Sequence, residues 1–240
     1  MIAIIIRGHE RNSLTNNYLR NFLNKLSNHF TIHLYIHTWL YNEASTSWRP
    51  LNKPNRIITP CYINDYFKGF QIKKLIIEED KNLNLEQSID GYLCAITLKL
   101  PWKKMWFGQK RIIDVFENHN YYDFIINIRM DYFDRIINTH LFDVNNVIDN
   151  LIKEIINNQD KFNLLNFFFD YDQKISQEVC NEIDNLYIGP FNLIKELIYN
   201  FHYNLDDILK SDIIKDFNGV NQERLVYLQG LKINNNKFFS

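Results

Sequence analysis

The strongest constraint on the fold comes from residues 122–133, where an apolar run of β-favouring residues breaks abruptly into charge. The run is rich in isoleucine, and Arg129 and Asp131 follow it, two residues apart. Apolar runs of this length are typical of strands buried on both faces of a parallel sheet. Ligands of open α/β sheets bind outside the carboxyl ends of such strands. The sequence therefore predicts a central strand whose end delivers an arginine and an aspartate into a cleft.

The beginning of the chain has the pattern of a β-α-β unit. A strand is predicted at 2–6, a polar turn at 7–13, and a second strand at 31–36 that ends at His37. The helix between them carries apolar residues at helical spacing: Leu19, Phe22, Leu23 and Leu26. Short right-handed connections place the loops of parallel strands at one edge of a sheet. We therefore expect the loops at Arg7 and His37 to lie at the same edge as Arg129 and Asp131.

The remaining elements alternate in the same way along the chain. Helices are predicted from Pro101, across 147–156, from Phe191, and at 221–225. Strands are predicted at 57–58, 74–77, 163–169, 182–188 and 237–239, and a polar loop at 80–90. No linker rich in Pro, Gly or Ser divides the chain. The prediction is a single α/β domain with a mainly parallel central sheet flanked by helices.

Composition excludes several classes of protein. Lys plus Arg number 27 against 28 Asp plus Glu, so no global field favours nucleic acid or anionic lipid. Three widely separated cysteines form neither a disulfide framework nor a CxxC metal pair. No apolar stretch approaches the length of a membrane span, so we expect a soluble, cytoplasmic protein. The abundant aromatic residues of the C-terminal half would permit a homodimer.

Two motifs next to predicted strands have the chemistry of a phosphate site. Arg129-x-Asp131 offers a guanidinium for phosphate oxygens and a carboxylate for a hard cation, although a surface ion pair is the simpler interpretation. Arg7-Gly8-His9 offers a second arginine and a glycine that lets the backbone approach a ligand. Neither a GxGxxG nor a Walker motif is present.

Two further motifs leave their interpretation open. His37-Thr38-Trp39 offers an aromatic plane and a hydroxyl that would border a base or sugar, but a tryptophan in a lone tripeptide such as this is more often a cap on the core than a platform for a ligand. Asp170-x-Asp172 would coordinate a metal or act as a base, and acids in a turn are also common as solvated loop residues. Neither HExxH nor GxSxG spacing occurs.

In their order, these motifs resemble a family of small glycosyltransferases with a GT-A-like fold, found in bacteria and large DNA viruses. The resemblance spans most of the chain. It rests on Arg7, Gly8 and Arg11; His37 to Trp39; Trp106, Gln109 and Lys110; Tyr122 to Asp131; Asp184 to Gly189; and Asn221 to Leu228.

The resemblance implies one GT-A-like domain over 1–240, in which roughly 1–135 binds the nucleotide sugar and roughly 136–240 binds the acceptor. The nucleotide-sugar site would comprise Arg7, Gly8, Arg11, His37, Thr38, Trp39, Gln109, Lys110, Arg129 and Asp131. Arg129-x-Asp131 stands where such enzymes place Asp-x-Asp, so Asp131 would contact the diphosphate or its Mn²⁺ or Mg²⁺ ion. Because Arg129 replaces the first Asp, the arginine is an alternative to the metal.

The same resemblance implies the catalytic role and the substrates. Asp184 or Glu223 would be the general base of an inverting displacement. If the reaction retains the anomeric configuration, neither residue has that role. The donor would be a nucleotide-diphosphate sugar, with a UDP-sugar favoured, and the acceptor a glycan or protein hydroxyl. Two alternatives stay open: a non-catalytic nucleotide or glycan binding module, and a nucleotide hydrolase with a metal at Asp170 and Asp172.

Overall fold

A six-stranded mixed sheet forms the centre of the protein. The computed structural model describes residues 1–43, 56–93, 97–134, 143–168, 183–211 and 222–238. The strands are β1 (Ile2–Arg7), β2 (Ile32–Trp39), β3 (Gln71–Glu78), β4 (Ile125–Arg129), β5 (Asn166–Phe167) and β6 (Leu186–Gly189). Their order in the sheet is β3-β2-β1-β4-β6-β5, and β6 runs in the direction opposite to the other five strands. The predicted α/β class with a mainly parallel sheet is confirmed.

Helices cover both faces of this sheet. In chain order they are α1 (Tyr18–Ser27), α2 (Pro60–Tyr66), α3 (Lys99–Asp114), α4 (Val144–Asn157), α5 (Phe191–Tyr203), α6 (Leu205–Lys210) and α7 (Gln222–Phe238). Side chains of β1 alternate between the two faces, as the period of a strand requires. Ile4 packs in the core with α1, α2 and α4, whereas Ile5 packs in the core with α3, α5 and α7.

The strand order changes direction at β1, because β2 and β3 lie on one side of it and β4 lies on the other. The chain first passes outward from β1 to β2 and β3, and α3 then carries it back to β4 on the other side of β1. Ligand crevices of open α/β sheets lie outside the carboxyl ends of the strands at such a switch point. Arg7 ends β1 and pairs in register with both His37 of β2 and Arg129 of β4, so these three strand ends are level.

Several predicted elements differ from the structure. The strand predicted at 57–58 is only an isolated bridge between Ile57 and Tyr41, and the strand predicted at 182–188 begins at Leu186. The predicted strand at 237–239 is wrong, because α7 continues through Phe238. The amide of Asn234 on this helix accepts a hydrogen bond from the backbone N–H of Leu165 and donates one to its carbonyl, both at 2.9 Å, which docks the helix on the chain before β5. The strand predicted at 163–169 contracts to two residues, and β2 extends through Trp39, so His37 to Trp39 belong to a strand rather than a loop.

Some sequence predictions fall on segments that the structure does not describe. Asp170 and Asp172 lie outside the described residues, as does Asn221. Within the described ranges, no helix combines the length and the apolar composition that crossing a bilayer requires.

Candidate functional site

The sheet edge that holds the ends of β1, β2 and β4 is the candidate site. The backbone N–H of Gly8 donates to the His37 carbonyl at 3.2 Å, and the Thr38 hydroxyl donates to the Gly8 carbonyl at 3.0 Å. Gly8 has a φ of 105°, a left-handed conformation that favours glycine and lets the chain turn away from the sheet here. The turn after β1 is thereby tied to the end of β2, which lies 30 residues away in the sequence.

Arg129, Asp131 and Arg11 form a charged cluster at this edge. Arg129 donates to both oxygens of Asp131, from Nε at 2.8 Å and from Nη2 at 2.6 Å, which is the bidentate geometry of a guanidinium and a carboxylate. Arg11 adds a hydrogen bond from Nη1 to Asp131 Oδ2 at 3.1 Å. The Asp131 side chain is only 5% exposed, whereas those of Arg129 and Arg11 are 15% and 22% exposed. The carboxylate thus holds two partly exposed guanidiniums at this edge of the sheet.

This donor set does not fit a divalent cation as it is arranged. A hard cation at Asp131 would have to share oxygens that already accept from two guanidiniums. Across the described ranges, no group of three or more His, Cys, Asp or Glu side chains gathers at a common point. We therefore assign no step to a metal at Asp131, and the charge at this position is balanced by arginine.

Arg7 lies beneath the site rather than in it. Its side chain is buried, and Nε donates to Asn127 Oδ1 at 2.9 Å while Nη2 donates to the Asp184 carbonyl. Burial lowers the pKa of the Arg7 guanidinium from its usual value. The predicted phosphate contact from Arg7 is therefore not available in this arrangement, and the arginine instead joins β1 to β4 and to the turn before β6.

A buried polar network continues from Arg7 towards α3. Asn127 donates from Nδ2 to Gln109 Oε1 at 3.2 Å, and the Tyr187 hydroxyl donates to the same oxygen at 2.5 Å. Burial raises the pKa of Tyr187 well above its usual range. Gln109 was predicted as a site residue from the sequence, whereas Asn127 and Tyr187 were not. The sequence signal for Asn127 is its position as a single asparagine within an isoleucine-rich strand, because a buried amide needs hydrogen-bond partners.

His37 connects the sheet to α3. It is buried, and its Nε2 lies 2.9 Å from Glu78 Oε1, which also accepts from Arg111 Nε at 3.3 Å. Burial lowers the pKa of His37 below its usual value. Gly108 makes the close approach of α3 feasible, because a Cβ there would lie 2.6 Å from His37 Cε1. In this structure, His37 acts as a packing residue under the site.

Two other predicted residues also lie outside the charged cluster. Trp39 is 3% exposed and lies in an aromatic stack, with ring centroids 5.7 Å from His9 and 6.5 Å from Phe107. Lys110 pairs with Asp114 at 2.6 Å on α3 and lies over the ring of Tyr203. The structure therefore brings Arg11, Arg129 and Asp131 together, places His37 and Trp39 in the packing beneath them, and directs Lys110 towards α5.

The two predicted general bases occupy different surroundings. Asp184 is 4% exposed and lies in the turn before β6, where Arg7 holds its carbonyl. Its neighbour Asn185 is fully buried and accepts from Arg129 Nη1 at 2.8 Å. Glu223 lies in the first turn of α7 and is partly exposed. Asp184 is thus connected directly to the network under the charged cluster.

The aromatic residues beside the site include a buried histidine, His202. Its ring lies 5.8 Å from that of Phe107, which stacks on Trp39. Burial, followed by the positive charges of Lys110 and Lys103, lowers the pKa of His202 to about 4. His202 therefore stays neutral in the folded protein at pH values where the unfolded chain already binds a proton.

We predict that stability falls with acidification because of His202. The folded-state pKa lies below the ordinary value of 6.5, so stability should decline from about pH 6.5 to about pH 4, by on the order of 2–3 kcal/mol. His202→Phe, which keeps an aromatic ring, should remove the His202 contribution to the slope in urea unfolding measured as a function of pH, while His9 and His37, whose pKa values burial also lowers, keep theirs. The exposed His29→Phe is the control, and an unchanged slope in His202→Phe would contradict the assignment.

No protein-family model, curated protein or solved structure matches this chain. We therefore infer the function from the chemistry of the site and from the order of its motifs.

Proposed function

We propose that the protein is a glycosyltransferase of GT-A-like fold, which transfers a sugar from a nucleotide-diphosphate sugar to a hydroxyl of a glycan or protein acceptor. A UDP-sugar is the favoured donor. The observation that carries the proposal is the cluster of Arg11, Arg129 and Asp131 beside the switch point of the sheet. Ligands bind at such a switch point, and guanidiniums held in fixed orientation there suit a diphosphate.

The chemistry of sugar transfer matches what this cluster offers. When the bond between the sugar and the diphosphate breaks, negative charge grows on the leaving diphosphate, and preorganised cations stabilise that charge. Asp131 holds the guanidiniums of Arg11 and Arg129 in place before the substrate arrives. A Mn²⁺ or Mg²⁺ ion would contribute only by displacing a guanidinium from Asp131.

The acceptor hydroxyl needs a base if the reaction inverts the anomeric centre. Asp184 is proposed for this role, because its carboxylate belongs to the turn that Arg7 holds against the ends of β1 and β4. The base would take the proton of the hydroxyl as that oxygen attacks the sugar. Glu223 on α7 is the alternative base, and pH profiles of Asp184→Asn and Glu223→Gln would distinguish the two.

Thermal unfolding in the presence of candidate donors tests the proposal. We expect at least one of the UDP-, GDP- or CMP-sugars to raise the melting temperature, because a ligand that binds only the folded state stabilises it. The series should be run with and without Mn²⁺, and sugar transfer or donor hydrolysis should accompany the stabilisation. A flat response to every donor would overturn the proposal.

A non-catalytic nucleotide or glycan binding module is the second candidate. It is favoured by the closed ion pair of Arg129 and Asp131, since Arg129 stands where a carboxylate is expected and occupies both oxygens of Asp131. Tight nucleotide binding without turnover would support this candidate. Measurable hydrolysis or transfer of the sugar would exclude it.

A further inference from the structure

The edge strand β3 is covered less completely than the strands at the centre of the sheet. Among the described residues, β2 is the only strand that pairs with β3, so in this part of the chain the outer side of β3 has no neighbouring strand. All six residues of β1 are buried, whereas Leu75, Ile76 and Ile77 of β3 are partly exposed. Leu75 and Ile77 lie on the face covered by α1, α2 and α4, and Ile76 lies on the face covered by α3. Aliphatic side chains therefore reach solvent on both faces of an edge strand.

A β-bulge at Lys73 divides β3 into two parts. Leu34 and Tyr35 are consecutive on β2, yet they pair with Ile72 and Lys74, so Lys73 is an extra residue. Bulges and lysines are common devices that keep edge strands from pairing with other chains. After the bulge, the strand continues in uninterrupted register with β2 from 74 to 78. A further strand can therefore pair with β3 along these five residues.

The residues from Lys74 to Glu78 complement themselves in one antiparallel register. Paired residues of neighbouring strands project from the same face of a sheet, so the two-fold axis of a symmetric pair must pass through a residue. With the axis at Ile76, Lys74 of each copy lies opposite Glu78 of the other. The same register places Leu75 opposite Ile77 on the other face. An axis at Leu75 would instead set Lys74 against Ile76, and an axis at Ile77 would set Ile76 against Glu78. Only the first register matches opposite charges with each other and aliphatic side chains with each other.

The charges around this edge balance within each copy. Lys74 pairs with Glu117 at 2.7 Å, and Glu78 accepts from Arg111 Nε at 3.2 Å. The side chains of Lys74 and Glu78 are nevertheless 37% and 23% exposed, so both are accessible to a neighbouring strand. A strand protected against pairing with itself would carry like charges at positions that lie opposite each other. Here the two positions carry opposite charges.

We propose that a second copy of this chain pairs with β3 in antiparallel orientation, which joins two six-stranded sheets into one. The two-fold axis passes through Ile76, and Lys74 and Glu78 form two cross-strand ion pairs. Because the two β3 strands run in opposite directions, the two switch-point sites lie at opposite edges of the joined sheet. The dimer goes beyond the proposed function and does not depend on it. Its interface lies in the N-terminal half of the chain rather than among the aromatic residues of the C-terminal half.

Sedimentation velocity over a concentration range of about 100-fold tests for the dimer, because the dimeric fraction of a reversible dimer rises with concentration. The wild-type protein should approach twice the 29.0 kDa mass of one chain. Lys74→Glu should weaken self-association by about tenfold or more, because two carboxylates then face each other at both ends of the interface. Lys68→Glu, the same change at an exposed lysine before β3, should associate like the wild-type protein. A wild-type monomer at every concentration, or association that Lys74→Glu leaves unchanged, would overturn the proposal.

A mixture of two variants tests the register. Glu78→Lys alone should also be monomeric, because lysines then face each other. An equimolar mixture of Lys74→Glu and Glu78→Lys should restore the dimer, because opposite charges again face each other in the mixed pair. Since Glu78 also accepts from Arg111 and contacts His37, circular dichroism and thermal unfolding verify that each variant folds. Folded variants that stay monomeric when mixed would exclude this register.

Disulfide crosslinking tests the axis without changing any charge, and it decides the matter if Glu78→Lys does not fold. Residues opposite each other in an antiparallel pair have Cα atoms about 4.5–5.5 Å apart, which a disulfide spans. Ile76→Cys, in a background whose native Cys61, Cys94 and Cys180 are replaced by serine, should form a covalent dimer on mild oxidation. Gln71→Cys, at an exposed position of β3 outside the paired segment, should crosslink about tenfold more slowly or not at all. Equal rates at the two positions, or no crosslink in folded Ile76→Cys, would contradict the proposed axis.

Discussion

Replacing Arg129 by alanine should lower the affinity for a nucleotide-diphosphate sugar by about 100-fold, which corresponds to about 2.7 kcal/mol. The variant loses a guanidinium for the diphosphate and removes the bidentate partner of Asp131, so a carboxylate with less compensating charge faces the phosphates. Asp131→Ala should weaken binding almost as much, because Arg11 and Arg129 lose the group that orients them. Calorimetric titration with the donor that stabilises the wild-type protein measures both effects.

Controls distinguish this site from an ordinary ion pair. Arg129→Lys should retain little of the affinity, because an ammonium cannot make the bidentate contact with Asp131. The exposed pair of Lys25 and Asp149 supplies the matched comparison, since alanine there should change neither donor affinity nor stability by more than about 1 kcal/mol. The double variant at Arg129 and Asp131 should fall well short of the sum of the two losses. Donor affinity unchanged in Arg129→Ala would contradict the diphosphate assignment.

Arg7→Ala should reduce the free energy of unfolding by about 3–5 kcal/mol. The substitution leaves Asn127 Oδ1 and the Asp184 carbonyl without their buried donor and opens a cavity between β1, β4 and the turn before β6. Urea unfolding followed by circular dichroism measures the loss as a shift of the midpoint at a constant slope. Donor affinity should fall as well, because the turn at Asp184 loses its anchor.

A second substitution at the same position separates hydrogen bonding from packing. Arg7→Met fills much of the volume, so it should recover the cavity part of the loss and keep the part that belongs to the hydrogen bonds. Lys232→Ala removes one positive charge from an exposed position and should stay within about 0.5 kcal/mol of wild type. If Arg7→Ala were as stable as Lys232→Ala, the buried network would not stabilise the fold as described.

Local patterns along the chain predicted most of the secondary structure. The isoleucine strands β1 and β4, the helices α1 and α4 and the turn at Pro190 all have signals within a few residues, because burial of a strand or a helix face imposes a period of 2 or 3.6. The errors arose where the local signal competed with tertiary contacts. At the C-terminus, the aromatic and β-favouring end of the chain suggested a strand, but Asn234 docks on Leu165 and the helix continues.

The candidate site was predicted less completely than the fold. Sequence order predicted that the ends of β1, β2 and β4 would share one edge, and the register of Arg7 with His37 and Arg129 agrees with that expectation. The roles of the individual side chains followed from burial instead. His37 and Trp39 are typical ligand-binding residues by type, yet both lie under the surface in this structure. Residue type at a strand end does not indicate how deeply the side chain will be covered.

The amino-acid sequence by itself determined the elements, the mainly parallel sheet and the edge at which charge collects, because these depend on hydrophobic period and on the rules of strand connection. Only the tertiary structure decided that Arg7 is buried, that Asp131 accepts hydrogen bonds from two guanidiniums and that Asn185 accepts one from Arg129. The contacts of Arg7 span 120 residues to Asn127 and 177 residues to Asp184. No local pattern encodes such pairs, since the partners meet only when the two halves of the sheet pack together.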